Sequence, residues 1–246
     1  MKLKYLLAAT LMTITIGVTG CGQKPSEDAA KSSEETSSTA KVLEMKGEDL
    51  AKIESDKKEK EKYLVVDVRD SKEYGEGHLK FAINMPIDTF EKDSESIADF
   101  KDKDVVLYCN SGKKSGDAAK ILIDKGFTKV YNAQGVKDFK YDLVTFSSVL
   151  GPQFQKDIDE GKASFIIDSR DEKDFKDKTF KNAVNILPDT FDQEEGKLPK
   201  DKNEAIYVFC YTGNKSAEIA GKLTEKGYKN VVNAIDGAKE FDYKFQ

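Results

Sequence analysis

Two short stretches of this chain combine a thiol, a glycine and positive charge in a pattern suited to anion-assisted thiol chemistry. The first is Cys109-Asn110-Ser111-Gly112-Lys113-Lys114-Ser115, preceded by the apolar run Val105-Val106-Leu107. The second is Cys210-Tyr211-Thr212-Gly213-Asn214-Lys215-Ser216, which begins 101 residues later (210 − 109). Each cysteine is delivered from a strand end into a polar loop that feeds a helix N-terminus. Free backbone N–H groups and the helix dipole there favour negative charge, so a thiol pKa falls and an anion can be held beside it. The expected cradle is the N–H groups of Asn110 to Ser115, and of Tyr211 to Ser216. Gly112 and Gly213 allow the tight backbone curl. Lys113 and Lys114, or Lys215 alone in the second stretch, add charge favouring thiolate and anion.

Composition narrows the alternatives. The formal charge of −5 argues against a nucleic-acid partner, which ordinarily meets a basic face. With one histidine, His78, there is no histidine-rich metal site and no Cys-His pair in the second half. No C-x-x-C occurs, so neither a zinc knuckle nor a thioredoxin-type pair is supported, and no cofactor is implied.

The elements that must position these loops alternate between strand and helix. In the first half, Gly47 to Lys60 has helical character and Tyr63 to Val68 reads as a buried strand. Ser71 is the expected cap of a short helix carrying Glu73 and Tyr74. A loop, Gly75 to Leu79, and a strand within Phe81 to Pro86 follow. Ser94 to Phe100 reads as helix, Asp104 to Tyr108 as strand, Ser115 to Lys125 as a helix stopped by Gly126, and Lys129 to Asn132 as strand. The second half repeats the order at a spacing of 101: Asp168 answers Asp67, Asn185 answers Asn84, Asn233 answers Asn132. The register then slips, and Gly237 answers Gly135 at 102. Whole-domain duplication follows, with domains at 41–142 and 150–246, a connector over Tyr141 to Pro152, and a parallel α/β sheet with helices on both faces in each domain.

The N-terminus has the anatomy of an export signal: Met1-Lys2-Leu3-Lys4, an apolar run to Val18, then Thr19-Gly20-Cys21. Val18-Thr19-Gly20-Cys21 resembles a bacterial lipobox. That resemblance implies a signal peptide over 1–20 and lipidation of Cys21, which becomes the mature N-terminus. Residues 21–40 are Ser-, Thr-, Glu- and Lys-rich and suit a disordered tether. The expectation is a pair of domains leashed by lipid to the outside of the cell membrane.

Asp67-Val68-Arg69, Glu73-Tyr74, Gly77-His78-Leu79, Ala82 to Pro86 and the Cys109 to Ser115 loop, in that order, resemble a rhodanese domain. The second copy resembles the family more loosely, with Lys178-Thr179-Phe180 in place of Gly-His-Leu. The resemblance implies sulfur transfer with Cys109 and Cys210 as nucleophiles, taking sulfane sulfur from a small donor and passing it to a thiol acceptor. Asp67 with Arg69, and Asp168 with Arg170, are read as hydrogen-bonded structural pairs beneath the loops. His78 is read as a packed or surface loop residue. Many family members carry arginine where Lys114 and Lys215 stand; lysine keeps the charge but lacks the planar fork. Asn110 and Tyr211 stand where thiosulfate-using members often have arginine, so thiosulfate, polysulfide and a protein persulfide all remain as donors. Phosphatase or arsenate-reductase chemistry, which some rhodanese-like domains support, calls for a longer loop ending in arginine. A non-catalytic binding or redox-sensing module is the other alternative, with a Cys109–Cys210 disulfide conceivable in an oxidising compartment.

Overall fold

The computed structural model describes residues 40–246. The leader, Cys21 and the tether as far as residue 39 lie outside them. The first domain runs β1 (Leu43–Met45), α1 (Gly47–Ser55), β2 (Tyr63–Asp67), α2 (Ser71–Glu76), β3 (Ile83–Asn84), α3 (Phe90–Asp93), β4 (Asp104–Tyr108), α4 (Lys113–Asp124) and β5 (Lys129–Ala133). The second runs β6 (Ser147–Val149), α5 (Gly151–Asp159), β7 (Phe165–Asp168), α6 (Glu172–Asp177), β8 (Val184–Asn185), β9 (Ala205–Phe209), α7 (Asn214–Glu225) and β10 (Asn230–Ala234). Each forms a five-stranded sheet, ordered β1-β5-β4-β2-β3 and β6-β10-β9-β7-β8. Every pairing within the sheets is parallel.

Alternation along the central strands buries both faces of the first sheet. Leu64, Val66, Val105 and Leu107 pack with Ala118, Ala119 and Leu122 of α4, while Val65 and Val106 pack with Leu50 of α1. Each fully buried aliphatic or aromatic side chain contributes about 1.5–3 kcal/mol. The second sheet repeats the plan, with Ile206 and Val208 against α7, and Tyr207 and Phe209 against Phe154 of α5. The chain reverses direction across the sheet between β2 and β4. Parallel sheets bind ligands outside the carboxyl ends of strands at such a point, and the cysteine loop follows β4 there.

Several boundaries depart from the sequence expectation. Asp70, rather than Ser71, caps α2: its carboxylate accepts from the N–H groups of Lys72 and Glu73, while Ser71 Oγ donates to Asn84. α1 stops at Ser55 because the Asp56 carboxylate accepts from Lys58 N and Glu59 N, turning the chain into a 3₁₀ turn at Lys60–Lys62. Ser94–Phe100 is 3₁₀ rather than α, interrupted at Ile97. α4 begins two residues before Ser115, since Gly112 takes the left-handed N-cap position (φ 79°). At its end Gly126 N bonds to Ile123 O and Phe127 N to Leu122 O, a Schellman closure. The expected connector holds β6, whose Ser147, Ser148 and Val149 pair with Val232 to Ala234 at the edge of the second sheet.

Candidate active site

β4 and β2 end level, with Tyr108 beside Asp67, and β3 places Asn84 beside Asp67 on the other side. Cys109 is therefore presented at the carboxyl edge of the sheet, with its side chain on the α4 face. The following loop is pinned from outside. Val136 N bonds to Cys109 O and Lys137 N to Asn110 O, both at 3.0 Å. Gly135 permits this approach, since a methyl group there would overlap the Asn110 carbonyl. Gly237 does the same for the second loop, where Ala238 N bonds to Cys210 O at 2.9 Å.

Cys109 sits buried at the floor of its loop. Burial pushes its thiol pKa up. Hydrogen bonds from the Ser115 hydroxyl and from the N–H groups of Ser115, Ser111 and Gly112 outweigh that and hold it below the ordinary value. Ser115 Oγ lies 3.4 Å from the sulfur and donates to Asn132 Oδ1 at 2.7 Å. Asn132 thus enters the site from β5, although in the sequence it stands out only as the partner of Asn233. Asn110 turns outward, its amide donating to Glu73 at 2.7 Å. Lys113 and Lys114 are exposed on the first turn of α4. A cleft of ≈ 690 Å³ opens along Ser111, Gly112 and Lys113 on one wall and Asn132, Gln134 and Gly135 on the other.

The second loop shares the backbone and differs at its rim. Ser216 Oγ lies 3.4 Å from Cys210 Sγ, and Gly213 takes the same left-handed conformation (φ 76°). Tyr211 replaces Asn110; its hydroxyl donates to Asp174 and accepts from Asp171 N. Lys215, expected to serve the cysteine, bonds to Asp171 at 2.7 Å. Cys109 and Cys210 are both free thiols, with no disulfide between them.

Beneath each loop lies a carboxylate–guanidinium pair. Arg69 donates Nε and Nη2 to Asp67, and Nη2 also to Gly77 O at 2.7 Å. Asn84 Nδ2 donates to the carbonyls of Asp67 and Arg69, fixing the turn. The Arg69 guanidinium lies 5.8 Å from the ring of Tyr108, the residue before the cysteine. Arg170 and Asp168 repeat the pair, with Arg170 also donating to Lys178 O and Thr179 Oγ1 to Asp168. Asp67 and Asp168 stand in register beside Tyr108 and Phe209, the residues before the two cysteines, so each pair lies at the base of its loop. His78 is fully buried, donates Nδ1–H to Tyr74 O at 2.9 Å and stacks on that tyrosine at 3.6 Å.

Sequence reasoning missed Lys60. It projects from the 3₁₀ turn of the first domain and donates to Thr212 O, within the second cysteine loop, and to Ile235 O. The only sequence signal nearby is the one-residue slip after Asn233.

Comparison with known proteins places this geometry. A rhodanese-like domain model matches residues 50–140 and again 152–244. The thiosulfate sulfurtransferase PspE of Escherichia coli (strain K12) is 38% identical over 73 residues, 30% of this chain and 70% of that protein. The tRNA uridine(34) hydroxylase of Photorhabdus laumondii subsp. laumondii is 38% identical over 76 residues, but the match spans only 22% of that protein. Among solved structures, a rhodanese with anions from E. coli shares 35% identity over 33% of this chain and 96% of that chain, with a TM-score of 0.32. With the domain model matched along both sheets, each bearing a cysteine loop at its carboxyl edge, the chain belongs to the rhodanese-like domain family and carries that domain twice.

Proposed function

We propose that this protein is an exported, lipid-anchored sulfurtransferase that carries a sulfane sulfur on cysteine from a small donor to a thiol acceptor. One observation carries the reading: the Cys109 sulfur faces the Ser115 hydroxyl and three backbone N–H groups that favour its thiolate. The thiolate attacks the outer sulfur of the donor. A cysteine S–S bond forms, the donor's bond to that sulfur breaks, and the remainder leaves with the electron pair, as sulfite when the donor is thiosulfate. An acceptor thiolate then attacks the outer persulfide sulfur, and Cys109 leaves as thiolate, with no net oxidant consumed. The N–H cradle stabilises negative charge in both steps. The name of PspE supports thiosulfate as one donor. Asn110, standing where thiosulfate-using members often have arginine, and Lys114, where many family members carry arginine, keep polysulfide in play. Anchoring rests on Val18-Thr19-Gly20-Cys21.

Intact-protein mass spectrometry after incubation with thiosulfate or inorganic polysulfide tests the chemistry. The Cys210→Ser protein is expected to gain one sulfur atom and the Cys109→Ser/Cys210→Ser protein none. Absence of a sulfur gain in both single variants, with both donors, overturns the proposal. For the anchor, metabolic labelling with a fatty-acid analogue should mark the wild-type protein, and Cys21→Ala should lose the label and leave the membrane fraction. Equal labelling of the two would exclude lipidation at Cys21.

A further inference from the structure

The slip in the second copy has a structural address. Asp236 accepts from Gly151 N as Gln134 accepts from Gly47 N, and its carbonyl takes the Tyr243 hydroxyl as that of Gln134 takes Tyr141. Ile235 N bonds to Val149 O as Gln134 N bonds to Met45 O, so Ile235 and Asp236 together take the place of Gln134. The Ile235 carbonyl is pressed against Gly213, at the turn of the second cysteine loop. Lys60 of the first domain meets it there, donating Nζ to Ile235 O at 2.9 Å and to Thr212 O. Asn214 Nδ2 completes the seam by donating to Lys57 O at 3.3 Å. Lys60 is only 6% exposed and lies 5.0 Å from the centre of the Phe81 ring. At the repeat spacing its counterpart is Gly161, so this contact belongs to one loop alone. The equivalent flank of the first loop is the open cleft along Ser111 to Lys113, whereas Thr212 and Gly213 are more covered than Ser111 and Gly112.

We propose that Lys60 is the positioning residue of the second domain's cysteine loop: an ammonium supplied by the first domain holds the Thr212 and Ile235 carbonyls and so fixes the backbone that carries Cys210. A buried ammonium needs such partners, because leaving water unpaired costs far more than the contacts return. Burial lowers the Lys60 pKa; Glu240, Glu61, Cys210 and Asp236 oppose this. Glu61 lies on its own turn, Asp236 and Glu240 follow β10, and Cys210 ends β9. Glu54 faces the same cavity from α1, with Lys80 acting on it. The second site is thereby wired to the first domain, while the Cys109 loop is made of its own domain's residues. This concerns the environment of the thiol and stands whether or not sulfur transfer is the reaction.

The test reads the second loop by amide hydrogen exchange over 211–216 in the full-length protein, with iodoacetamide alkylation of Cys210 in Cys109→Ser at one neutral pH as a second measurement. Lys60→Met is expected to speed exchange of those amides about fivefold and to change the alkylation rate. Lys60→Gln keeps an N–H donor and is expected to retain part of the protection, a rescue that a general loss of folding would not give. Exchange over 110–115, and alkylation of Cys109 read in Cys210→Ser, should not move with either substitution. Unmoved exchange over 211–216, or an equal change over 110–115, overturns the proposal.

Discussion

At Cys109 one hydroxyl proton faces two acceptors. Ser115 Oγ lies 3.4 Å from the sulfur and 2.7 Å from Asn132 Oδ1, so a neutral thiol can donate to Oγ while Oγ–H serves the amide. When the thiol ionises, the hydroxyl proton is better spent on sulfur, and Asn132 gives it up. In the second loop Asn233 is buried and, among the described residues, neither of its side-chain polar atoms has a partner, while Ser216 Oγ faces Cys210 Sγ. Ser115→Ala removes the one side-chain donor to Cys109 among the described residues. Loss of one hydrogen bond to a charged group, on the order of 1.5 kcal/mol, predicts a roughly tenfold slower alkylation of Cys109 at neutral pH. Alkylation kinetics in Cys210→Ser check this, and an unchanged rate would return the whole effect to the backbone N–H groups. Ser115 is legible in the sequence because it ends the loop it serves. Asn132 is not: only the parallel register of β4 and β5, Leu107 beside Asn132, brings it to the hydroxyl.

At the scale of elements, each loop owes its shape to a glycine on the neighbouring segment. Gly135 and Gly237 let the chain after the last strand lie against the cysteine's own carbonyl. Gly135→Ala should lower stability by about 2 kcal/mol or more, because the overlap is with backbone that cannot turn aside. Gly126→Ala, where the new methyl meets open space but φ is 89°, should cost only about 1 kcal/mol. Urea denaturation of the two variants compares them, and a milder effect at Gly135 would refute the close-approach argument. The recurring glycines were visible in the sequence as matched positions, and so were the buried strands, whose runs of Val, Leu and Ile announce two covered faces. β6 was not visible, since Ser147-Ser148-Val149 carries no local pattern and becomes a strand only by pairing with β10. The early stop of α1 was hidden for a related reason. Lys57 to Lys60 is good helix-forming sequence, and the Asp56 side chain diverts it by taking two backbone N–H groups.

The two domains meet through the loop that differs most between the copies. Phe81 packs into the core of the second domain, the Tyr74 hydroxyl accepts from Ser148 N, and Ser148 Oγ donates to Lys80 O. His78 exchanges backbone hydrogen bonds with Val144, just before β6. The second copy spends the same positions on its own end, with Gln246 N bonded to Thr179 O and Phe180 packed on Phe245, which is why its Gly-His-Leu pattern is gone. This seam buries two titratable groups that pull stability in opposite directions. Burial holds His78 neutral, lowering its pKa from 6.5 to about 4. Unfolded chain binds the extra proton between those values, so His78 removes stability as pH falls from 6.5 towards 4. Burial raises Glu54 from 4.5 to about 7, against the pull of the Phe81 N–H and of Lys80 and Lys60. Here the folded chain binds the extra proton, so Glu54 removes stability as pH rises from 4.5 towards 7. Asp236, raised mainly by burial to about 6, acts with Glu54. Between pH 4.5 and 6.5 the His78 and Glu54 slopes oppose, each limited to about 1.4 kcal/mol per pH unit. Relative to the parent, Glu54→Gln should therefore make unfolding free energy climb more steeply with pH across that window, and His78→Phe should make it fall more steeply. The double variant should recover the parental slope. Urea midpoints at three or four pH values measure this directly, and single variants whose slopes match the parent would mean that the two groups are not held in these protonation states by the seam.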